Sequence, residues 1–234
     1  MLLAIDTATK HASLALDDGA DILAEHSWRS ANNHTVELAP QVEHMLRNAG
    51  VRADALEALA VALGPGSFTG LRIGLAFAKG FALAHALPLL GVATLDIVAY
   101  AQPPLDGVLL AVLSAGRGRI AAGAYHWSEA GWQADGPARI TTWDELLRDG
   151  EAGDVHVCGE INAAARETLG EKVSFATPPL NVRRAACLIA IVRQRLASGQ
   201  TDDPNALAPL YLRTPEGEEQ PPAAADASAA SHSA

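Results

Sequence analysis

The spacing of apolar side chains changes period several times along the chain, and each change marks an element. Leu2–Asp6, Ala12–Leu16 and Asp21–Trp28 read as a three-strand meander, with turn signals at Thr7–Lys10 and at Asp17-Asp18-Gly19. From Thr35 the apolar positions Leu38, Ala39, Val42, Met45, Leu46 and Ala49 fall into a helical stripe that closes at Gly50. Pro40 lies inside it, which predicts a kink there or a regular helix that starts close to it. A helical turn follows Asp54, then a wholly apolar strand, Leu59–Leu63. The glycine-rich loop Gly64-Pro65-Gly66-Ser67-Phe68-Thr69-Gly70 opens onto a long helix, followed by a strand at Leu89–Val92 and a helix from Thr94 to about Gln102.

Pro103-Pro104 marks a boundary. Beyond it, Val108–Leu113 and Ile120–Trp127 repeat the opening meander in weaker form, as a diverged copy would. Thr142 with Glu145 forms a capping-box pattern ahead of a short helix. A strand at Val155–Cys158, a helix at Asn162–Leu169, a strand at Val173–Ala176 and a last long helix at Arg183–Ala197 complete the pattern. The reading is an α/β chain in two units, 1–102 and 105–213. The remainder, 214–234, is rich in Pro, Ala, Ser and Glu and is expected to be disordered, because it has too few apolar residues to bury a core.

Composition sharpens this picture. With 234 residues, 49% of them hydrophobic, the chain can build real cores. Its net charge is -10, and leaving out the acids of the tail (Glu216, Glu218, Glu219, Asp226) the body still holds 23 acidic against 17 basic residues. Nucleic-acid affinity rests on Lys and Arg neutralising phosphates, so RNA binding by this chain alone is disfavoured. Cys158 and Cys187 are 29 residues apart with no CxxC, and the N-terminus lacks the pattern of a secretion signal; both predict a cytoplasmic protein with free thiols. The apolar run Leu71–Leu87 is interrupted by Arg72, Lys79 and His85, which predicts no membrane span.

Two loops carry candidate chemistry. Gly64, Gly66, Ser67, Thr69 and Gly70 sit at a helix start, where backbone N–H groups favour an anion, with a purely structural turn as the equal alternative. The loop is not a P-loop, since Leu71-Arg72 follows it, nor a GxSxG elbow, since position 65 is proline. Asp6 and Thr7, with Thr9, place a carboxylate and hydroxyls at the end of the first strand, where phosphates or a metal could be met; a capped turn is the plainer meaning. Gly70, Gly74, Ala78, Ala82 and Ala86 recur every four residues and form a ridge of small side chains, suited to an interchain contact or to packing on the chain's own sheet. The eight histidines form no HExxH or HxxxH pair, so no helical metal site is expected. Arg183, Arg184, Arg193 and Arg195 cluster on the last helix, as a solvated face or as a contact to RNA within an assembly.

Several of these pieces together resemble the TsaB (YeaZ) family over Leu3 to about Arg213. They are the AIDTAT start, His34-Thr35 with Leu38 and Pro40, GPGSFTGLRIG from Gly64 to Gly74, Ala78-Lys79-Gly80, and the closing Pro209-Leu210-Tyr211-Leu212-Arg213. The resemblance implies duplicated actin-like ATPase (ribonuclease H-like) domains, the fold of sugar kinases. It also implies a non-catalytic dimerisation subunit of the bacterial complex that adds a threonylcarbamoyl group to N6 of adenosine 37 of tRNAs reading codons that start with A. The implied partners are TsaD, the catalytic paralogue, and TsaE, with a homodimer when alone. The tRNA is met only through the complex, and the ATP and metal lie on the partner proteins, with no cofactor here. TsaD-like chains hold a metal through HxxxH, and Thr94 and Val98 stand at the aligned positions. By the same resemblance the two helices near His34 and Gly70 form the partner surface, with Leu38, Val42, Met45, Leu71, Gly74, Leu75 and Ala78 as candidates. One departure is Ser114-Ala115-Gly116-Arg117, where the family often has an acid followed by Ala-Arg.

The competing function is a small nucleotide-binding phosphotransferase or ATPase of the same fold, using Asp6 and the Gly64 loop. A peptidase would need a nucleophile and base or a metal site in recognisable spacing, and the chain shows none.

Overall fold

The computed structural model describes residues 1–31, 33–149 and 154–212. The expectation for 214–234 lies outside the described residues. The elements in chain order are β1 (Leu2–Asp6), β2 (His11–Asp17), β3 (Ile22–Arg29), α1 (His34–Asn48), β4 (Ala58–Gly64), α2 (Phe68–His85), β5 (Leu89–Ala93) and α3 (Thr94–Tyr100). They continue with β6 (Val108–Gly116), β7 (Arg119–Ser128), β8 (Gly131–Ala134), β9 (Arg139–Thr141), α4 (Trp143–Asp149), β10 (Val155–Gly159), α5 (Ala163–Leu169), β11 (Ser174–Phe175) and α6 (Ala185–Ala197).

The strands form two sheets with one topology. The first runs β3-β2-β1-β4-β5, antiparallel across β3-β2-β1 and parallel across β1-β4-β5. The second runs β8-β7-β6-β10-β11 with the same directions, and β9 adds to β7. The duplication expected of an actin-like fold is therefore present strand for strand.

Alternation along β1 and β4 builds a core on each face of the first sheet. Leu3, Ile5, Leu59 and Val61 meet Leu38, Val42 and Met45 of α1 and Leu75 and Ala78 of α2. On the other face Ala4, Ala15, Ala58, Ala60 and Ala62 meet Ala185, Leu188, Ile189 and Val192 of α6. These alanines keep the sheet surface low, so α6 can lie close to it. The first sheet is built from β1–β5 and the second from β6–β11, but the helices cross between them. α6 comes from the second half and covers the first sheet, while Leu95, Val98 and Ala99 of α3 pack on Leu109 and Ala111 of the second. This exchange ties the lobes together.

Some local expectations are corrected. α1 does not begin near Pro40 but runs from His34 through it to Asn48. The carbonyl left without an N–H partner belongs to Val36, which is 70% exposed, so water can satisfy it. α6 begins at Ala185, leaving Arg183 and Arg184 ahead of the helix, with Arg184 in extended backbone. The strands β8 and β9 carry too short an apolar pattern to be read from the sequence. The capping box is present: Glu145 N–H donates to Thr142 Oγ1 at 3.3 Å, and Thr142 N–H to Glu145 Oε2 at 2.9 Å.

Candidate functional site

The strand ends β1 and β4 bring the two candidate loops against each other. Ala8 N–H donates to Asp6 Oδ1 at 2.9 Å, closing the turn after β1. Thr7 Oγ1 donates to the Gly70 carbonyl at 2.8 Å, and Ser67 N–H donates to the Ala8 carbonyl at 2.6 Å. Ser67 caps α2 by accepting from Gly70 N–H at 3.3 Å. Gly64 N–H donates to Thr94 Oγ1 at 3.0 Å, and Thr69 is exposed. A Cβ at Gly66 would stand 2.1 Å from the Ala8 carbonyl oxygen, and one at Gly70 2.2 Å from that of Thr7. At Gly74 it would stand 2.2 Å from Thr7 Oγ1. The glycines thus serve close approach of helix α2 to the β1–β2 turn, and several loop amides are spent inside the protein.

Asp6 is fully buried and forms an ion pair with Arg183 Nε. Arg183 Nη2 also donates to Thr9 Oγ1 at 3.1 Å and to the His11 carbonyl at 2.6 Å, while Nη1 lies 3.7 Å from Glu160 Oε1. Glu160 Oε2 accepts from the Ser114 amide at 3.1 Å. Glu160, on the turn after β10, thus reaches both Arg183 and the backbone of Ser114.

The other three arginines are engaged as well. Arg184 Nε donates to Glu25 at 2.9 Å, Arg193 Nε to Asp17 at 3.0 Å, and Arg195 Nη2 to Asp202 at 2.5 Å. Each guanidinium is paired with an acid, three of them with acids of the first sheet; Arg183 is buried, and only Arg184 is more than half exposed. The partners lie some 160 to 180 residues away in sequence for Arg183, Arg184 and Arg193, which no local pattern reveals.

The partner-surface candidates are corrected too. Leu38, Val42, Met45, Leu71, Gly74, Leu75 and Ala78 are all buried against the chain's own sheet and turns. Ala82 is also buried, so the small-residue ridge faces inward, and only Ala86 at its end is exposed. A helical stripe marks the side that meets the sheet, and the complementary side is the one left open to solvent. That side presents Val36 (70% exposed), Ala39 and Pro40 on α1, and Ala76, Gly80 and Leu83 (85% exposed) on α2.

Thr94 and Val98, at the positions aligned with metal-binding histidines, are buried, and neither can serve as such a ligand. Among the described residues no group of three or more His, Cys, Asp or Glu is placed to hold a metal. Between the lobes the segment before Arg213 fills space: Leu210 N–H donates to the Leu63 carbonyl at 2.7 Å, and Tyr211 stacks on Phe68 and accepts from Arg72 Nε at 2.9 Å. What is left between Gly66, Ser114, Ala115 and Tyr211 has room for about one water. No helix among the described residues is long and apolar enough to cross a membrane. Cys158 is buried, which pushes its thiol up to about 12, and Asp96, beneath Tyr125, is raised by burial.

Comparison with known proteins supplies the context. The family model for TsaD: tRNA N6-adenosine threonylcarbamoyltransferase matches residues 28–218. The tRNA threonylcarbamoyladenosine biosynthesis protein TsaB of Bacillus subtilis is 27% identical over 93% of this chain and 96% of its own. An uncharacterized protein of Mycobacterium tuberculosis is 32% identical over 92% of both chains. Among solved structures, YeaZ from Pseudomonas aeruginosa superimposes with a TM-score of 0.75 at 25% identity, covering 90% of this chain and 99% of that one.

Proposed function

Since the chain belongs to the family of TsaD, the tRNA N6-adenosine threonylcarbamoyltransferase, and within it to the TsaB (YeaZ) branch, we propose that it is an accessory subunit that acts by docking a TsaD-type catalytic partner. The chain takes part in tRNA threonylcarbamoyladenosine biosynthesis. In our reading it performs no transfer itself, binds no nucleotide or metal of its own, pairs with itself when alone, and is joined by a TsaE-type ATPase in the complex. The tRNA is met through the assembly, in keeping with the acidic body.

The observation that carries this reading is the outward face of α1 and α2. Val36, Ala76, Gly80 and Leu83 leave apolar or small side chains in water on two adjacent helices, where a partner's helix can approach closely. The phosphotransferase alternative requires Asp6 to be free for a nucleotide or its metal, and Arg183 holds it.

The test is threonylcarbamoyl transfer to an unmodified tRNA, using purified TsaD- and TsaE-type proteins, ATP and the threonylcarbamoyl adenylate, with and without this chain. Product is expected only when the chain is present with both partners. A Leu83→Arg variant, whose change sits in solvent and should alter stability by about 0.5 kcal/mol or less, is expected to fold and to lose the stimulation. Turnover by the chain alone, or full stimulation by L83R, would overturn the reading.

A further inference from the structure

We propose that Arg183 is a built-in cation that holds the two lobes closed, doing with a side chain what a bound cation would otherwise do, so that closure requires no ligand. The guanidinium is 3% exposed and uses all three of its nitrogens. Nε meets Asp6, and Nη2 meets Thr9 and the His11 carbonyl, all on or flanking the β1–β2 turn of the first sheet. Nη1 faces Glu160, which stands on the turn after β10 in the second sheet, and the same carboxylate holds the Ser114 amide at the β6–β7 hairpin. One side chain thus links three turns from two lobes, with a carboxylate from each lobe facing it.

The arrangement has the charge logic of a cation site. A buried carboxylate is stable as an anion only beside a compensating charge with further hydrogen bonds, and here the planar fork of arginine provides both. The groups an exogenous cation would use on the first lobe are Asp6 and Thr9, and both are occupied. Ser13, opposite Asp6 in the β1–β2 register, has a buried hydroxyl oxygen with no hydrogen-bond partner. The chain around Arg183 is drawn out straight between Val182 and Arg184, both extended, before α6 begins. That extension lets residue 183 reach Asp6 at the lobe junction instead of continuing the helix.

This goes beyond the accessory role, which would hold whether or not the lobes move. It is tested by amide hydrogen exchange on the full chain, as wild type, Arg183→Met and Glu160→Gln, each with and without Mg²⁺ and ATP. For the wild type, protection of the Ala8 and Ser67 amides is expected to be unchanged by Mg²⁺ and ATP. Glu160→Gln weakens only the second-lobe contact, at a side chain 23% exposed, so it is expected to fold even if Arg183→Met does not. It is expected to raise exchange at Ala8 and Ser67, in the opposite lobe, by about tenfold. Arg183→Met, where folded, should raise it further. Unchanged exchange at those amides in Glu160→Gln, or protection of the wild-type turns by Mg²⁺ and ATP, would overturn the proposal. The docking role would survive either result, since it is decided by the transfer assay, whereas protection by Mg²⁺ and ATP would also remove the reading that the chain binds no nucleotide or metal of its own.

Discussion

Two alanine substitutions in one helix should move stability in opposite directions. Gly80 lies within α2 on its solvent side, and a Cβ there meets nothing within 4 Å. Gly→Ala in an open helical site removes chain entropy from the unfolded state and should stabilise by roughly 0.5–1 kcal/mol. Gly70 is two residues into the same helix, and the same methyl would sit 2.2 Å from the Thr7 carbonyl oxygen. To restore ordinary contact, the start of α2 must retreat from the β1–β2 turn by about 1 Å. The retreat strains the 2.8 Å bond from Thr7 Oγ1 to the Gly70 carbonyl and the 2.6 Å bond from Ser67 N–H to the Ala8 carbonyl. It also loosens Leu71, which is 1% exposed. Overpacking of this kind costs about 1–3 kcal/mol, and losing a net hydrogen bond about 1 kcal/mol more, against a propensity gain of up to about 1 kcal/mol. The expected result is Gly70→Ala less stable than wild type by about 1–3 kcal/mol, a fall in Tm of roughly 2–12 °C for a chain of this size. Urea unfolding with a shared m-value, checked by two probes, measures both variants. If Gly70→Ala were as stable as wild type while Gly80→Ala gained, the close backbone approach would not be what keeps glycine at position 70.

Two further expectations concern titratable groups. Burial raises the Asp96 carboxyl, with the Tyr125 hydroxyl at 2.7 Å opposing the shift. The folded state therefore holds this proton more tightly than the unfolded one, and wild-type stability from this site is fully present below the ordinary carboxylate value and lost as pH rises through the raised one. Asp96→Asn keeps an acceptor for Tyr125 without the charge. Its stability relative to wild type should grow as pH rises from about 4 toward neutrality, and a pH-independent difference in paired urea titrations would count against the buried charge. Cys158, pushed up to about 12 by burial, should resist a thiol-specific reagent at pH 8 in the native protein and react on unfolding. Mass-mapped labelling reads this out, and native labelling at Cys158 faster than at Cys187 would refute it.

Much of the architecture was legible because its cause is local. The unbroken apolar run Leu2–Ile5 reads as a strand covered on both faces, and the helical spacing from Leu38 to Leu46 as a helix covered on one side. Thr142 with Glu145 was legible for the same reason: a capping box closes within four residues. The short strands β8 and β9 were not, since three or four half-exposed residues carry too little period to register.

The candidate site was legible as a place and misread in its parts. The motif Gly64–Gly74 marked a glycine-rich helix start, but periodicity cannot say whether a small residue faces a ligand, a partner or the chain's own turn. Only the fold put Thr7 and Ala8 against Gly66, Gly70 and Gly74. Likewise the stripe Leu38, Val42, Met45 was correctly apolar and, for that reason, turned inward, leaving Val36 and Leu83 outside.

By itself the sequence determined most of the elements, their order, the duplication and the family, since these rest on patterns that repeat or that persist in relatives. Tertiary structure alone decided which lobe each last helix covers and which charges meet. Arg183 and Asp6 are 177 positions apart, and nothing near either residue announces the other. Their pairing follows from the crossing of α6 onto the first sheet, which is set by the low surface of Ala4, Ala58, Ala60 and Ala62 and by the apolar face of the helix that covers it.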